Sequence, residues 1–580
     1  MTQRRLQKPA EEKTGHAFIA VGFTLLALLI IGRLFYLQVV RHEYYLAAAA
    51  KTHETSVEVR PVRGSIYFSD AVTGENFPAA INKTYYLVFA VPKNISSYDV
   101  VSTTDRVAGI LGFNDEQKAE TLKKISERDS SYRVLAKKVP EEIAKKLKAA
   151  NIPGIQMDEE IYRFYPENEL AAPLLGFTVR SDNGDLSGKY GIEGFLNKKL
   201  AGRPGYILGE KGAGGGWITL ADRTNIKAED GPDIFLTIDR ALQQYACDRL
   251  RDGLKEYEAK SAALVLMNPE SGAVYAMCSL PDFDPNNYSQ VKDLAAFNNT
   301  AIFTPYEPGS VFKTFTMGAG LDLGLVTPNT TYTDPCELTI NGHKVRNAEQ
   351  KCYGKQTMTE VLEKSINTGV VWVEQRVGRD RFHEYVKKFG FGEKTGITLS
   401  TEMAGDVSSL DKKGDIFGAN GSFGQGLTAT PLQLAAAYSV VANGGKLMKP
   451  FIIAEEHLED GRKNKFSPQE SDTVISEGAA RLLSGMLVSV VENHYHAAQI
   501  PDYYVAGKTG TAQIPEKGKY SEDRTNQTFA GFAPATRPKF VLVVKYEEPN
   551  RKWAEQTALP VFKDVMKFAL DYLGVPGDKQ

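Results

Sequence analysis

Several features that mark particular protein classes are missing from this sequence of 580 residues. It contains no run of six like charges, and its 69 Lys and Arg residues against 71 Asp and Glu residues leave a formal net charge of −2. Because nucleic-acid-binding proteins present a basic surface, this balance argues against nucleic acid as a partner. The pairs His42-Glu43 and His383-Glu384 lack the second His of a zinc-protease helix. The sequence therefore indicates no metal site, and we expect no cofactor.

Cysteine is rare as well, with four residues in the whole chain. Cys247 falls in an amphipathic run and Cys278 in an apolar run, so we expect both to be core residues. Cys336 and Cys352 flank a polar stretch. If that stretch faces an oxidising compartment, we expect these two to form a disulfide.

The N-terminal part carries a long uncharged run, from Ala17 to Gly32. As a helix, Ala17–Val40 would be about 36 Å long, enough to cross a bilayer. The basic residues within 1–16 predict that the N-terminus is cytoplasmic and that the chain after Val40 lies outside. A cleaved signal peptide is the alternative, but Arg33 and Arg41 separate the apolar run from the only cleavage-like stretch, at 47–50.

Composition and pattern change near Gly231. Residues 41–230 contain short apolar runs, turns and amphipathic helices, with no recognisable set of catalytic residues. They end in Gly-rich stretches that are typical of turns and loops. From 231 to 580 the patterns predict strands, then mostly helices, then strands and a final helix. This order predicts an α+β fold in which one sheet is assembled from both ends of a helical insertion.

Ser310 and Lys313 are the candidates for nucleophilic chemistry. Pro308 and Gly309 break any preceding structure, so a helix is predicted to start with Ser310 at its N-terminus. Residues three apart share a helix face, which would place the Lys313 amine beside the Ser310 hydroxyl. A desolvated lysine can take the proton of a serine, and the helix N-terminus offers backbone N–H groups to an oxyanion.

Two further motifs follow in the expected elements. Ser365-Ile366-Asn367 lies in a helix predicted over Thr359–Val377, and Lys508-Thr509-Gly510-Thr511 follows a strand predicted at Tyr503–Gly507. The order Ser-x-x-Lys, Ser-x-Asn, Lys-Thr-Gly is the signature of the penicillin-recognising serine enzymes. Other matches fail on order or context; they are Ser289/Lys292, Ser409/Lys412, Ser181-Asp182-Asn183, Lys13-Thr14-Gly15 and Lys394-Thr395-Gly396.

The surroundings of these motifs resemble class B penicillin-binding proteins. The similarity covers 306–310, 424–435, 442–445 and 506–513, and the upstream segments 63–66, 191–193 and 200–205 resemble that family's non-catalytic pedestal. Within the family the chain is most similar to the cell-division (FtsI-type) transpeptidases. Two departures concern Asp70, which is offset from the family's usual position, and a Gly pair that the family often carries and that is absent around 553–560.

The resemblance implies an architecture. It consists of a cytoplasmic N-terminus (1–16), one transmembrane helix (17–40), an elongated mixed α/β pedestal of the penicillin-binding protein dimerisation type (41–230) and a transpeptidase domain (231–580). That last domain would be β-lactamase-like, with a central antiparallel sheet between helices. The protein would be single-pass in the bacterial plasma membrane, with its catalytic domain extracytoplasmic.

The resemblance also implies a peptidoglycan D,D-transpeptidase. Ser310 would attack the carbonyl between two D-alanines of a stem peptide, with Lys313 as base and with Ser365 and Lys508 passing a proton to the leaving amine. Asn367 would bind the substrate amide, and backbone N–H groups of Ser310 and Thr511 would bind the oxyanion. The side chains of Lys508, Thr509 and Thr511, on the Lys-Thr-Gly strand that includes Gly510, would hold the terminal carboxylate.

The implied partners are stem peptides on lipid-linked glycan strands, a polytopic membrane glycosyltransferase and other wall-synthesis proteins, with β-lactams as inhibitors. A septal role is expected and an elongation role is the alternative. A D,D-carboxypeptidase, a β-lactamase or a non-catalytic divisome scaffold are further alternatives. The pedestal and the membrane segment argue against the two hydrolases.

Overall fold

A computed structural model describes residues 25–41, 55–181, 184–209, 224–516 and 519–579. Two compact units divide the chain: residues 1–63 with 201–231, and residues 64–200 with 232–580. In the first unit, residues 25–35 are α-helical and lead into the π-helix Tyr36–Val40. The same unit has an antiparallel sheet in the order Thr55–Val59, Gly205–Gly209, Thr224–Ile226.

The predicted spanning segment Ala17–Val40 lies partly outside the described residues. Among the helices that are described, none has both the length and the apolar character needed to cross a bilayer. The side chains of Leu25 and Leu29 are 62% and 72% exposed.

A seven-stranded sheet forms one half of the second unit. Its strands run in the order Lys463–Lys465, Ile453–His457, Asp233–Asp239, Ile66–Ser69, Asn76–Ala90, Arg133–Val139, and Ile155–Phe164 pairs with Asn76–Ala90. The helices Val100–Leu111, Asp115–Ser126 and Glu141–Ala150 belong to this part and contribute apolar side chains to a small core with Val88 of the sheet. The sequence pattern predicts helices at 115–127 and 141–150 and a strand at 85–91. The helices Asp115–Ser126 and Glu141–Ala150 and the strand Asn76–Ala90 confirm these predictions.

The other half is built on a five-stranded antiparallel sheet. Its order is Val274–Leu280, Ser261–Met267, Phe540–Glu547, Lys519–Ala533, Ala506–Glu516. Residues 281–505 separate the first two strands from the last three along the sequence. The predicted arrangement, in which one sheet is assembled from both ends of a helical insertion, is confirmed.

Because successive side chains along these strands point to opposite faces, each face of the sheet packs against a separate hydrophobic core. On Ser261–Met267, Leu264 and Leu266 pack with the helices Arg240–Glu256 and Ala558–Tyr572, whereas Val265 joins the core that contains Pro431–Ala442. The sequence predicts a helix over 239–254 with Asp239 as its cap. The structure confirms the cap, because Asp239 Oδ1 accepts a hydrogen bond from Leu242 N at 2.9 Å at the start of the helix Arg240–Glu256.

The second unit also contains short strand pairs and further helices. The pairs are Phe177–Arg180 with Leu186–Lys189, Thr331–Thr333 with Lys355–Thr357, Glu337–Ile340 with His343–Arg346, and Lys446–Met448 with Glu470–Thr473. The helices are Ala172–Leu175, Gly191–Phe195, Asn197–Leu200, Thr300–Phe303, Lys313–Asp322, Met358–Glu363, Asn367–Val377, Arg379–Lys388, Asp415–Ser422 and Glu477–Asn493.

The structure corrects four sequence predictions. The helix predicted over Thr359–Val377 is two helices, Met358–Glu363 and Asn367–Val377. The stretch 327–354, for which the sequence predicts a loop, contains the hairpin Glu337–Arg346. The last strand before the Lys-Thr-Gly motif begins at Ala506 and contains that motif rather than preceding it. Cys247 and Cys278 are core residues as predicted, but they are bonded to each other because the helix Arg240–Glu256 packs on the strand Val274–Leu280.

Candidate active site

Ser310 lies in a tight turn between the central sheet and a buried helix. The turn is the 3₁₀ helix Gly309–Phe312, which leads directly into Lys313–Asp322, so Ser310 precedes the α-helix by one turn rather than starting it. The strand Ala506–Glu516 approaches this turn closely at Gly510. A Cβ atom at Gly510 would lie 2.7 Å from the Pro308 carbonyl oxygen, so the approach requires glycine.

Lys313 is fully buried at the start of the helix. Its Nζ donates hydrogen bonds to the carbonyl oxygen of Ser365 at 2.5 Å and to Ser365 Oγ at 3.1 Å. Ser365 sits at the break between the two helices with a left-handed backbone (φ 54°). This conformation is unusual for a residue with a side chain, and it presents both the carbonyl and the hydroxyl of Ser365 to one amine.

The environment of Lys313 favours the neutral amine. Burial lowers the pKa of Lys313 well below its ordinary value, and the positive charge of Lys508 lowers it further. Among the described residues no carboxylate forms an ion pair with it. An unprotonated lysine next to the Ser310 turn can accept a proton near neutral pH.

Lys508 lies on the outer strand of the five-stranded sheet. Its strand, Ala506–Glu516, pairs with Lys519–Ala533 on one side, and within the described residues no strand pairs with the other side. Such an edge leaves backbone N–H and C=O groups for an extended ligand. Lys508 itself is fully buried, with its Nζ 3.4 Å from Tyr495 Oη and 5.3 Å from the centre of that ring.

Tyr495 is a site residue that the motifs did not indicate. Its hydroxyl accepts a hydrogen bond of 2.8 Å from Thr509 Oγ1, so it holds the Thr509 side chain beside Lys508. Tyr495 follows the helix Glu477–Asn493 and carries no local pattern that distinguishes it from other tyrosines. Only the packing of that helix against the Lys-Thr-Gly strand brings it into the site.

The three motifs meet at one cleft of about 870 Å³. Of the predicted site residues, those that line it are Ser310, Ser365, Asn367, Thr509 and Thr511. Lys313 and Lys508 are buried next to lining residues, and Gly510 contacts the Ser310 turn. The rejected matches at Ser289, Ser409 and Lys394 are not among the described residues that line this cleft.

Asn367 is held by a segment organised around Asp334. Asn367 Nδ2 donates to the carbonyl oxygen of Arg346 at 2.7 Å. The buried carboxylate of Asp334 accepts four hydrogen bonds of 2.7–3.0 Å, from Cys336 N, Asn347 Nδ2, Tyr353 N and Thr368 Oγ1. The predicted disulfide between Cys336 and Cys352 is confirmed and closes the same segment. No motif or local pattern in the sequence indicates Asp334.

Comparison with known protein families agrees with this geometry. Residues 262–567 match the penicillin binding protein transpeptidase domain, which is more than half of the chain, and residues 58–236 match the penicillin-binding protein dimerisation domain. The chain belongs to the penicillin-binding protein transpeptidase family.

Relatives of this family member are similar over nearly the whole chain. Stage V sporulation protein D of Bacillus subtilis is 31% identical, and the match covers 96% of this chain and 85% of the relative. Peptidoglycan D,D-transpeptidase FtsI of Escherichia coli is 28% identical, with 99% of this chain and 95% of the relative covered. The similarity to division-type members inferred from the motifs is therefore confirmed.

Solved structures of penicillin-binding proteins share the fold. Penicillin binding protein 2X from Streptococcus thermophilus superposes with a TM-score of 0.76 at 22% identity, covering 90% of this chain and 81% of that one. Penicillin binding protein 3 from Mycobacterium tuberculosis, solved in complex with ampicillin, has a TM-score of 0.69 at 25% identity, with 90% and 98% covered.

Proposed function

We propose that this penicillin-binding protein is a serine-type peptidoglycan D,D-transpeptidase that acts through an acyl-enzyme on Ser310. The observation that carries the proposal is the buried Lys313 amine, which is bonded to Ser365 and lies three residues from Ser310, beside the cleft that Ser310 and Ser365 line. A lysine kept neutral in this way is suited to activate a serine.

The positions of these side chains support the following acylation step. Lys313 takes the Ser310 proton as Ser310 Oγ bonds to the carbonyl carbon between the two terminal D-alanines of a stem peptide. Ser365, already hydrogen-bonded to Lys313 at 3.1 Å, passes the proton to the leaving amine of the last D-alanine. The C–N bond then breaks, and D-alanine leaves with the proton.

The edge strand supplies binding and electrostatic stabilisation. The backbone N–H groups of Ser310 and Thr511 stabilise the oxyanion of the tetrahedral intermediate. The charge of Lys508 with the hydroxyls of Thr509 and Thr511 holds the terminal carboxylate, and Asn367 binds the stem amide. Tyr495 contributes by fixing Thr509.

The second half-reaction transfers the acyl group to an amine of another stem peptide. The relatives named peptidoglycan D,D-transpeptidase support this acceptor over water. We propose the four-part division at residues 16, 40 and 230, the single-pass topology and the septal role as the context of this reaction. A polytopic membrane glycosyltransferase would supply the glycan strands.

Product analysis tests the acceptor. Membrane-embedded protein would be incubated with a lipid-linked glycan precursor and a glycosyltransferase, and the digested product would be separated by mass. We expect cross-linked stem pairs that penicillin abolishes. Release of D-alanine without cross-links would instead identify a carboxypeptidase.

A further inference from the structure

The charged side chains around the cleft are almost all neutralised by one another. Every basic side chain among the described lining residues forms an ion pair with a carboxylate: Lys344 and Arg346 with Glu337, Lys351 and Lys552 with Glu349, and Lys364 with Glu360. These cations are therefore not free to bind a ligand without breaking a contact.

Two carboxylates line the same cleft, and they differ in their contacts. Glu349 lies between Lys351 at 2.8 Å and Lys552 at 3.0 Å. In the part of the chain that the structure describes, Glu555 forms no ion pair and no hydrogen bond with another side chain. Glu555 is thus the one lining carboxylate, among those described, without a salt bridge.

The backbone holds Glu555 in a defined place. It belongs to the 3₁₀ helix Ala554–Gln556, whose buried Ala554 donates its N–H to Thr511 Oγ1 at 3.3 Å. The carboxylate is therefore anchored next to the strand that carries Lys508 and Thr511. Desolvation raises the pKa of Glu555, although the charge of Lys508 opposes this. Glu555 also falls in the segment 553–560, where this chain departs from its family's usual Gly pair.

We propose that Glu555 is a specificity-determining residue that binds a primary ammonium group of the ligand in this cleft. The proposal rests on the transpeptidase function above. A cleft carboxylate that has no salt bridge can bind an arriving ammonium group without breaking an existing contact, whereas a paired carboxylate cannot. The ammonium group can come from the acyl donor or from the acceptor strand, and both sources have the same chemistry.

Matched ligands distinguish the two sources. For the donor, acylation rate constants are measured with ampicillin, whose side chain carries an α-amino group, and with benzylpenicillin, which lacks it, near pH 7 where that amine is largely protonated. For the acceptor, an uncharged thioester donor is used, and aminolysis by D-lysine is compared with aminolysis by D-alanine.

We expect Glu555→Gln to lower one of these two preference ratios by about fivefold, whereas Glu555→Asp retains it. A fall in the penicillin ratio assigns the ammonium to the donor, and a fall in the amine ratio assigns it to the acceptor. The matched control is Glu349→Gln, which removes the same charge from the same cleft at a paired position and should leave both ratios in place.

Unchanged ratios in Glu555→Gln would overturn the proposal. An equal fall in Glu349→Gln would overturn it too, because the effect would then come from the general field of the cleft. If the unsubstituted protein captures no benzylpenicillin, the proposed function fails, and this inference fails with it.

Discussion

At the scale of single residues, the fold holds the Lys313 amine in a buried position. This position is unfavourable for the charged form of the amine and suits its role as a base. Burial lowers the pKa of Lys313, which has no carboxylate partner among the described residues, because the charged form would lose its hydration. The Ser365 carbonyl and hydroxyl accept its hydrogen bonds, and Ser365 adopts a left-handed backbone to do so.

This neutral lysine makes the stability of the protein depend on pH. Between the lowered pKa of folded Lys313 and about 10.5 in the unfolded chain, the unfolded state holds one proton more at this site. The stability of the unsubstituted protein should therefore rise with pH relative to Lys313→Met, by about 1.4 kcal/mol per pH unit. Below the lowered pKa this difference in slope disappears. Denaturant unfolding of both proteins between pH 7 and 10 measures it, and parallel curves would contradict a neutral Lys313.

At the scale of elements, the segment around Asp334 connects a disulfide-closed hairpin to the helix Asn367–Val377. Asp334 receives donors on both oxygens, including Thr368 of the helix Asn367–Val377, and Asn347 Oδ1 accepts from Thr368 N at 3.1 Å. Asn367 Nδ2 also donates a hydrogen bond to this segment, at the carbonyl oxygen of Arg346. The position of Asn367 thus depends on a carboxylate outside the three motifs.

Replacing that carboxylate should affect both stability and the site. In Asp334→Asn, an amide NH₂ faces groups that are themselves donors, so at least two hydrogen bonds are lost in a buried place. We expect a loss of about 2–4 kcal/mol in unfolding free energy and slower penicillin acylation. The control Asp252→Asn, at an exposed ion pair, should change stability by less than about 1 kcal/mol. Full stability and normal acylation of Asp334→Asn would contradict this role.

Elements with local signals were predicted from the sequence, and contacts made across the fold were not. Three kinds of feature depend only on residues that are neighbours in the sequence: the cap at Asp239, the helix start at Pro431 and the three motifs. The helix break at Ser365 has no Gly or Pro within three residues, and the carbonyl oxygen exposed there accepts a hydrogen bond from Lys313 of a distant segment. The pairing of Cys247 with Cys278 and the place of Tyr495 likewise depend on how a helix packs on a strand.

At the scale of the whole molecule, the chemistry of the cleft does not explain the function of the N-terminal apolar segment. The two domains matched in this chain are a dimerisation domain (58–236) and a transpeptidase domain (262–567). Gly32 lies in the described helical residues 25–35 with no other group within 4 Å of a Cβ built there, so a neighbouring helix can approach closely. Gly22 of the same segment lies outside the described residues.

We expect that residues 17–40 bind a polytopic glycosyltransferase as well as anchor the protein. Replacing them with an unrelated spanning helix should abolish co-purification with that enzyme and reduce wall synthesis in cells. Membrane insertion and penicillin capture must be intact in the exchanged protein. Normal co-purification and normal wall synthesis would show that the segment is an anchor only.

The most direct test of the account is intact-mass analysis after exposure to penicillin, with the modified peptide mapped. One adduct per chain should appear, on Ser310, because its turn leads directly into the helix that starts at Lys313 and contacts the Lys-Thr-Gly strand at Gly510. Ser310→Ala should carry no adduct and Lys313→Ala almost none near neutral pH, whereas Lys412→Ala should react normally. An adduct retained in Ser310→Ala, or mapped to Ser289 or Ser409, would contradict the account.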